Sequence, residues 1–403
     1  QSSVRVTQAT VGGTSIFGTN TVSADDPSAI DLNGGVLEFR SEGNLDFNSL
    51  PSGKNVYHRA SSTVFTGPGV GGDNINGLTS LGTFRIAANT TATFNSRNGY
   101  GVTFGGAWTQ ESSNNNNTVT NNMGGTLTFT GNAWNNSDAS ARTLTISSAG
   151  NTVITGSINT SGAGIKTLTK TGGGNLTILG TATTLNGPVN VQGSLTITDF
   201  RSVTNNTESI TLGNTTTTVG NLLIGTTAAA TALGLETSRP IILNGTTAAN
   251  SIYANQAGLN PAKLNGAITK PIAGNATFIL GGTNTADNII NTGIPSLGTS
   301  GVTKVGPGTW VLAGENLYTG TTTIVNGTLK LKANAASSTI LAAANDITFG
   351  NSNVYAGGAF EFVGQDGVNN VQALDVLTTT SGAGTVRLTP GVGGTASLSF
   401  ASQ

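Results

Sequence analysis

Apolar and polar residues alternate with a period of two along much of the chain, the pattern of strands with one buried face. Thr126-Leu127-Thr128-Phe129-Thr130 places Leu and Phe on one side and Thr on the other. Thr143-Leu144-Thr145-Ile146, Lys166-Thr167-Leu168-Thr169-Lys170 and Ser194-Leu195-Thr196-Ile197-Thr198 repeat the pattern. The predicted strands are short and bounded by Gly or by Asn-Gly pairs. Such pairs start at Asn33, Asn76, Asn98, Asn186, Asn244, Asn265 and Asn326, and each reaches a positive φ at little cost. Helical periodicity is weak everywhere. Its best window is 227–236, interrupted by Gly234 and β-branched residues, and 333–344 is a second short helix or loop.

Composition narrows the class. Only 9% of the 403 residues are charged, against about 25% in an ordinary domain. Gly supplies 58 residues, Thr 67 and Asn 45, so turns and β-branched polar surface dominate. Lys and Arg total 17, too few for a helical bundle. A net charge of −1 supplies no electrostatic footprint for nucleic acid. The 36% hydrophobic content supports a core and excludes disorder. One His and no Cys leave a zinc or thiolate site without ligands. The lack of Cys suits a chain exported before folding. No basic segment followed by an apolar one opens the chain, and the Gln-Ser-Ser start fits a mature end left by signal cleavage. The longest apolar stretch, 222–235, is broken by Gly225, Thr226 and Thr227, short of the roughly 20 residues of a membrane helix.

Many short strands with regular turns fit either a sandwich or a β-solenoid. Internal repetition decides for the solenoid. Lys170-Thr171-Gly172-Gly173-Gly174-Asn175-Leu176-Thr177-Ile178 precedes Val189-Asn190-Val191-Gln192-Gly193-Ser194-Leu195. Lys304-Val305-Gly306-Pro307-Gly308-Thr309-Trp310-Val311-Leu312 precedes Thr323-Ile324-Val325-Asn326-Gly327-Thr328-Leu329. Lys, Gly and apolar positions correspond in the two copies, near 166–198 and 301–331, each read as three strands between Gly turns. The second copy resembles the autotransporter-associated β-strand repeat of bacterial autotransporter passengers. Glu315-Asn316-Leu317-Tyr318-Thr319-Gly320 fills that repeat's Gly-x-Asn-x-Tyr element, whereas Thr181-Ala182-Thr183-Thr184-Leu185 departs from it. The resemblance implies a right-handed parallel β-helix, export to the cell surface and a membrane β-barrel after the passenger. The expected fold is therefore all-β, a parallel β-helix over at least 125–403. At roughly 20–25 residues per coil, it holds about a dozen coils.

Residues 1–112 hold 10 of the 22 aromatic and 8 of the 18 acidic residues. They read as a β-rich N-terminal lobe or cap, and 113–124, with its Asn run, as a polar linker or loop. Asp25 and Asp26 with His58 and Arg59 form the best grouping for glycoside cleavage, which needs paired carboxylates. Nothing else supports that grouping, and His58 reads as a surface or half-buried residue. Asp25, Asp26 and Asp73 are weak candidates for calcium, Asp73 through Gly71-Gly72-Asp73-Asn74; no other cofactor is expected. Regular Thr-x-Thr ladders on a flat face can order water and bind ice. The pairs starting at Thr126, Thr143, Thr167 and Thr196 are spaced by 17, 24 and 29 residues, and these intervals do not meet that condition. Strand-like ends suggest assembly through Val4, Val6, Val386, Leu388, Leu398 and Phe400. The expected function is a non-enzymatic structural or adhesive component of a bacterial surface, a stalk, fibre or layer subunit. Its expected partners are copies of itself or a host or neighbouring cell surface, with no nucleic acid and no membrane span in this chain. The alternatives are a self-polymerising head-to-tail filament subunit and a β-helix polysaccharide lyase or hydrolase.

Overall fold

The computed structural model describes residues 3–7, 29–47, 55–69, 72–110, 116–134, 139–160, 164–181, 185–203, 208–225, 235–334, 339–351 and 357–403. It is all-β and about 1% helical, with parallel strands stacked as a β-solenoid of about 13 turns. The 227–236 window falls almost entirely outside the described residues. The described part of 333–344 forms no helix. The chain divides into two compact units, 1–196 with 201–206, and 197–200 with 207–403.

The first unit winds around three ladders. One contains Val36–Arg40, Ser62–Gly67, Thr91–Ser96, Asn117–Asn121, Arg142–Ser148, Lys166–Thr171 and Val189–Val191, with Ser3–Thr7 at its start. A second contains Leu45–Asp46, Leu78–Leu81, Gly101–Phe104, Leu127–Phe129, Thr152–Ile154 and Asn175–Ile178. The third contains Ala29–Asn33, Asn55–Ala60, Phe84–Ile86 and Trp108–Gln110. The chain visits them in the order third, first, second. Past Trp108–Gln110, among the described residues of this unit, a bridge between Ala133 and Ile158 marks the third side.

Large rings fill the interior of these coils. Phe84 packs on Phe94, Phe104, Trp108 and Phe129, with centroids 5.0–6.1 Å away. Phe104 and Phe129 stack at 5.5 Å with planes 9° apart, and all five rings are buried. Asn117–Asn121 lies inside the stretch read as a linker, and it pairs with Thr91–Ser96 on one side and Arg142–Ser148 on the other. The lobe's strands from 29 to 110 are coils of the same ladders; most of 1–28 lies outside the described residues.

The second unit is built from Ile210–Leu212, Ile241–Leu243 and Ile268–Thr269; from a longer ladder running from Gly220–Ile224 to Thr395–Ser402; and from a third running from Glu236–Thr237 to Gly384–Thr389. Each repeat copy holds four strands rather than three, alternating between two ladders. The second copy contributes Val302–Lys304, Thr309–Leu312, Thr322–Ile324 and Gly327–Lys332. Thr303 pairs with Thr323 and Thr309 with Thr328, so one repeat spans two short coils. Alternation works as expected: Leu329 and Leu331 are fully buried, while Lys330 between them is not.

Candidate functional site

The Lys of each repeat sits inside the coil, where an ammonium must find acceptors or lose its proton. Lys304 Nζ donates to the carbonyls of Val305 at 2.8 Å, Gly306 at 2.7 Å and Asn326 at 3.0 Å. Three acceptors match the three N–H bonds of an ammonium. Gly306 and Gly327 carry φ of 70° and 71°. A Cβ on Gly327 would stand 2.4 Å from the Gly306 oxygen and 2.7 Å from Lys304 Nζ. The first copy repeats the device. Lys170 Nζ donates to the Thr171 and Gly172 carbonyls at 2.5 and 2.8 Å, and a Cβ on Gly193 would meet the Gly172 oxygen at 2.3 Å. The Lys-x-Gly spacing thus folds an ammonium onto its own turn, and the Gly of the following coil closes the cage. Burial pushes Lys304 down to about 7 and Lys170 down to about 8. These ammonium groups are held by backbone carbonyls.

The Asn-x-Tyr element is also structural. Asn316 Nδ2 donates to Gly314 and Ile340 carbonyls at 2.8 and 2.9 Å, and its Oδ1 accepts from the Ile294 N–H. Tyr318 is buried with its hydroxyl 2.9 Å from Thr322 Oγ1, and burial raises its pKa well above the ordinary phenol value. Trp310 points inward and donates from Nε1 to the Gly281 carbonyl at 2.8 Å.

The grouping suggested for catalysis does not form from the described residues. Asp25 and Asp26 lie outside them. His58 is fully buried rather than at the surface, 2.7 Å from Ser62 Oγ through Nδ1 and against Phe84 and Phe94. Desolvation lowers its pKa to about 3, so it is neutral at pH 7. Arg59, next in the strand, points the other way onto Tyr57 and Asp31, whose carboxylate lies 2.8 Å away. Glu38 pairs similarly with Arg40. Asp73 is exposed, and among the described residues no three His, Cys, Asp or Glu side chains gather as a metal site.

The residues suggested for assembly lie on terminal strands of the ladders. Val4 and Val6 align with Leu37 and Phe39 in the strand register. Val386 and Leu388 pair with Phe360 and Phe362 and are 41% and 47% exposed. Leu398 and Phe400 pair with Gln372 and Leu374 and are half-buried.

One surface escaped the sequence reading. On the outward face of the first ladder, Thr91, Thr118, Thr145 and Thr169 stand in register on four successive coils. Thr93, Thr120, Ser147 and Thr171 form a second column beside them. The intervals along the first column are 27, 27 and 24 residues. The irregular spacing read from the sequence came from mixing ladders, because Thr128 and Thr196 belong to strands of the second.

A family model described as passenger-associated-transport-repeat matches residues 302–331, the four strands of the second copy. Searches of curated proteins and of solved structures return no match. The repeat and the stacked parallel coils together fit an autotransporter passenger-like β-helix protein.

Proposed function

We propose that this chain works at a bacterial surface as a non-enzymatic structural or adhesive element, displayed as an autotransporter passenger. The observation that carries the reading is the passenger-associated repeat at 302–331, seated in a ladder of parallel coils. Passengers with this repeat are typically surface-exposed and usually non-enzymatic. Internal use of the polar groups supports the same reading: the repeat's Lys, Asn and Tyr side chains hold coils together. No helix among the described residues is long and apolar enough to cross a membrane. The partner would be a neighbouring or host cell surface.

The test displays the chain on a non-adherent bacterial host and compares settling, cell–cell aggregation and attachment with cells lacking it. Increased aggregation or attachment is expected, together with cleavage of the displayed chain by external protease. Unchanged behaviour of cells that do display it would overturn the adhesive reading. Activity on a polysaccharide panel, lost with Asp25→Ala and Asp26→Ala, would overturn the non-enzymatic one.

A second reading rests on Val386 and Leu388, apolar and exposed on a ladder strand. Paired with the first strand of another copy, they would join chains head to tail through main-chain bonds. Electron microscopy of the purified chain at high concentration separates the two readings: filaments support assembly, single particles oppose it.

A further inference from the structure

The three outward faces of the first unit differ in chemistry. The third ladder carries Asp31, Tyr57 and Arg85 in one column, with Arg59 stacked on the same tyrosine. The second carries a column of Thr103, Thr128, Val153 and Thr177, interrupted by the valine. The first carries the two uninterrupted hydroxyl columns, with no charged or aromatic side chain at any of their eight positions.

Among the described residues, the fold uses one of those hydroxyls. Thr169 accepts from Asn190 Nδ2 at 3.3 Å. The other members of the two columns have no side-chain hydrogen-bond partner among the described residues. Parallel strands fix their positions. Neighbouring coils lie about 4.8 Å apart, and outward residues two apart along a strand are separated by about 6.6 Å. β-Branching restricts the threonine χ1 torsion, while the hydroxyl hydrogen still rotates to donate or accept. The result is a neutral and pre-organised array of oxygens that repeats in two directions, with a methyl group beside each threonine oxygen.

We propose that this face binds ice. A lattice periodic in two directions gains most from a partner that is itself periodic in two directions. A single soluble molecule would engage only one or two of its positions. The two repeats lie near oxygen spacings of the prism face of hexagonal ice, and neutrality suits a surface that presents only hydroxyl donors and acceptors. Crystalline polysaccharide is the competing periodic surface. Sugar rings gain from stacking on aromatic platforms, and the two columns contain none.

The experiment uses the whole chain, labelled with a fluorophore, and reads its uptake into a growing single ice crystal, the crystal's shape and freezing hysteresis. The wild type is expected to enter the ice and facet the crystal. Thr120→Tyr with Thr145→Tyr should abolish both effects, because rings would stand above the lattice; Thr128→Tyr on the second ladder should leave them intact. Circular dichroism establishes that each variant is folded. If the tyrosine pair unfolds, Thr145→Lys takes its place, with loss of uptake supporting the proposal and retention opposing it. Exclusion of the wild type from ice would overturn the proposal. So would equal loss in Thr128→Tyr, or binding to crystalline cellulose or chitin without binding to ice.

Discussion

Lys304 shows how a repeat motif becomes structure at the scale of one residue. Its ammonium is desolvated and held by three carbonyls, and desolvation lowers its pKa from 10.5 to about 7. In the unfolded chain the same group keeps its proton to about 10.4. Between those values the unfolded state binds more protons, so stability rises with pH. Below about 7 both states are charged, and the folded state bears the cost of the buried ammonium. Lys170, lowered to about 8, acts in the same direction. The urea midpoint should therefore increase from pH 6 to pH 10, and Lys304→Met should flatten that increase. An equal pH dependence in the variant would remove Lys304 as its source. The motif's Lys and Gly positions were legible in the sequence. Their contact was not, because the closing Gly327 belongs to the following coil.

At the scale of an element, stacking turns every outward position into a column, and a column of like charge would repel itself. Low charge is one answer, and alternation is another. Lys330, Glu361 and Arg387 align on successive strands of one ladder, with signs alternating. Lys330 Nζ also reaches Asp287 at 2.9 Å and Glu361 at 3.5 Å; burial pulls its pKa down, and the two carboxylates together outweigh that and raise it. Glu361→Lys would place three cations in a row. Its melting temperature should fall at low salt and recover substantially near 1 M, where the Debye length is about 3 Å. A salt-independent loss would point to packing instead. The abundance of Thr and Asn was plain in the composition. Which residues share a column required the register.

At the scale of the whole molecule, a solenoid is stabilised chiefly between neighbouring coils. Phe84 sits at the centre of the aromatic cluster, and Phe84→Ala should cost about 3–5 kcal/mol locally. Hydrogen exchange should quicken in Leu78–Leu81, Gly101–Phe104 and Leu127–Phe129. It should stay unchanged in distant strands such as Thr309–Leu312. Uniform loss of protection throughout would show cooperativity beyond neighbouring coils.

The sequence by itself determined that the chain is all-β, built of short strands and stacked as a solenoid with a passenger-like repeat. The short strands follow from a period of two and from glycine turns, both properties of adjacent residues; the solenoid rests on the internal repeat and on what it resembles. Tertiary structure decided which strands share a ladder. It gathered Phe84, Phe94, Phe104, Trp108 and Phe129 into one cluster and buried His58 against two of them. It also drew Thr91, Thr118, Thr145 and Thr169 into one column. Coil length sets these outcomes, since a strand meets its partner only after the chain has gone once around, and no local pattern records that distance.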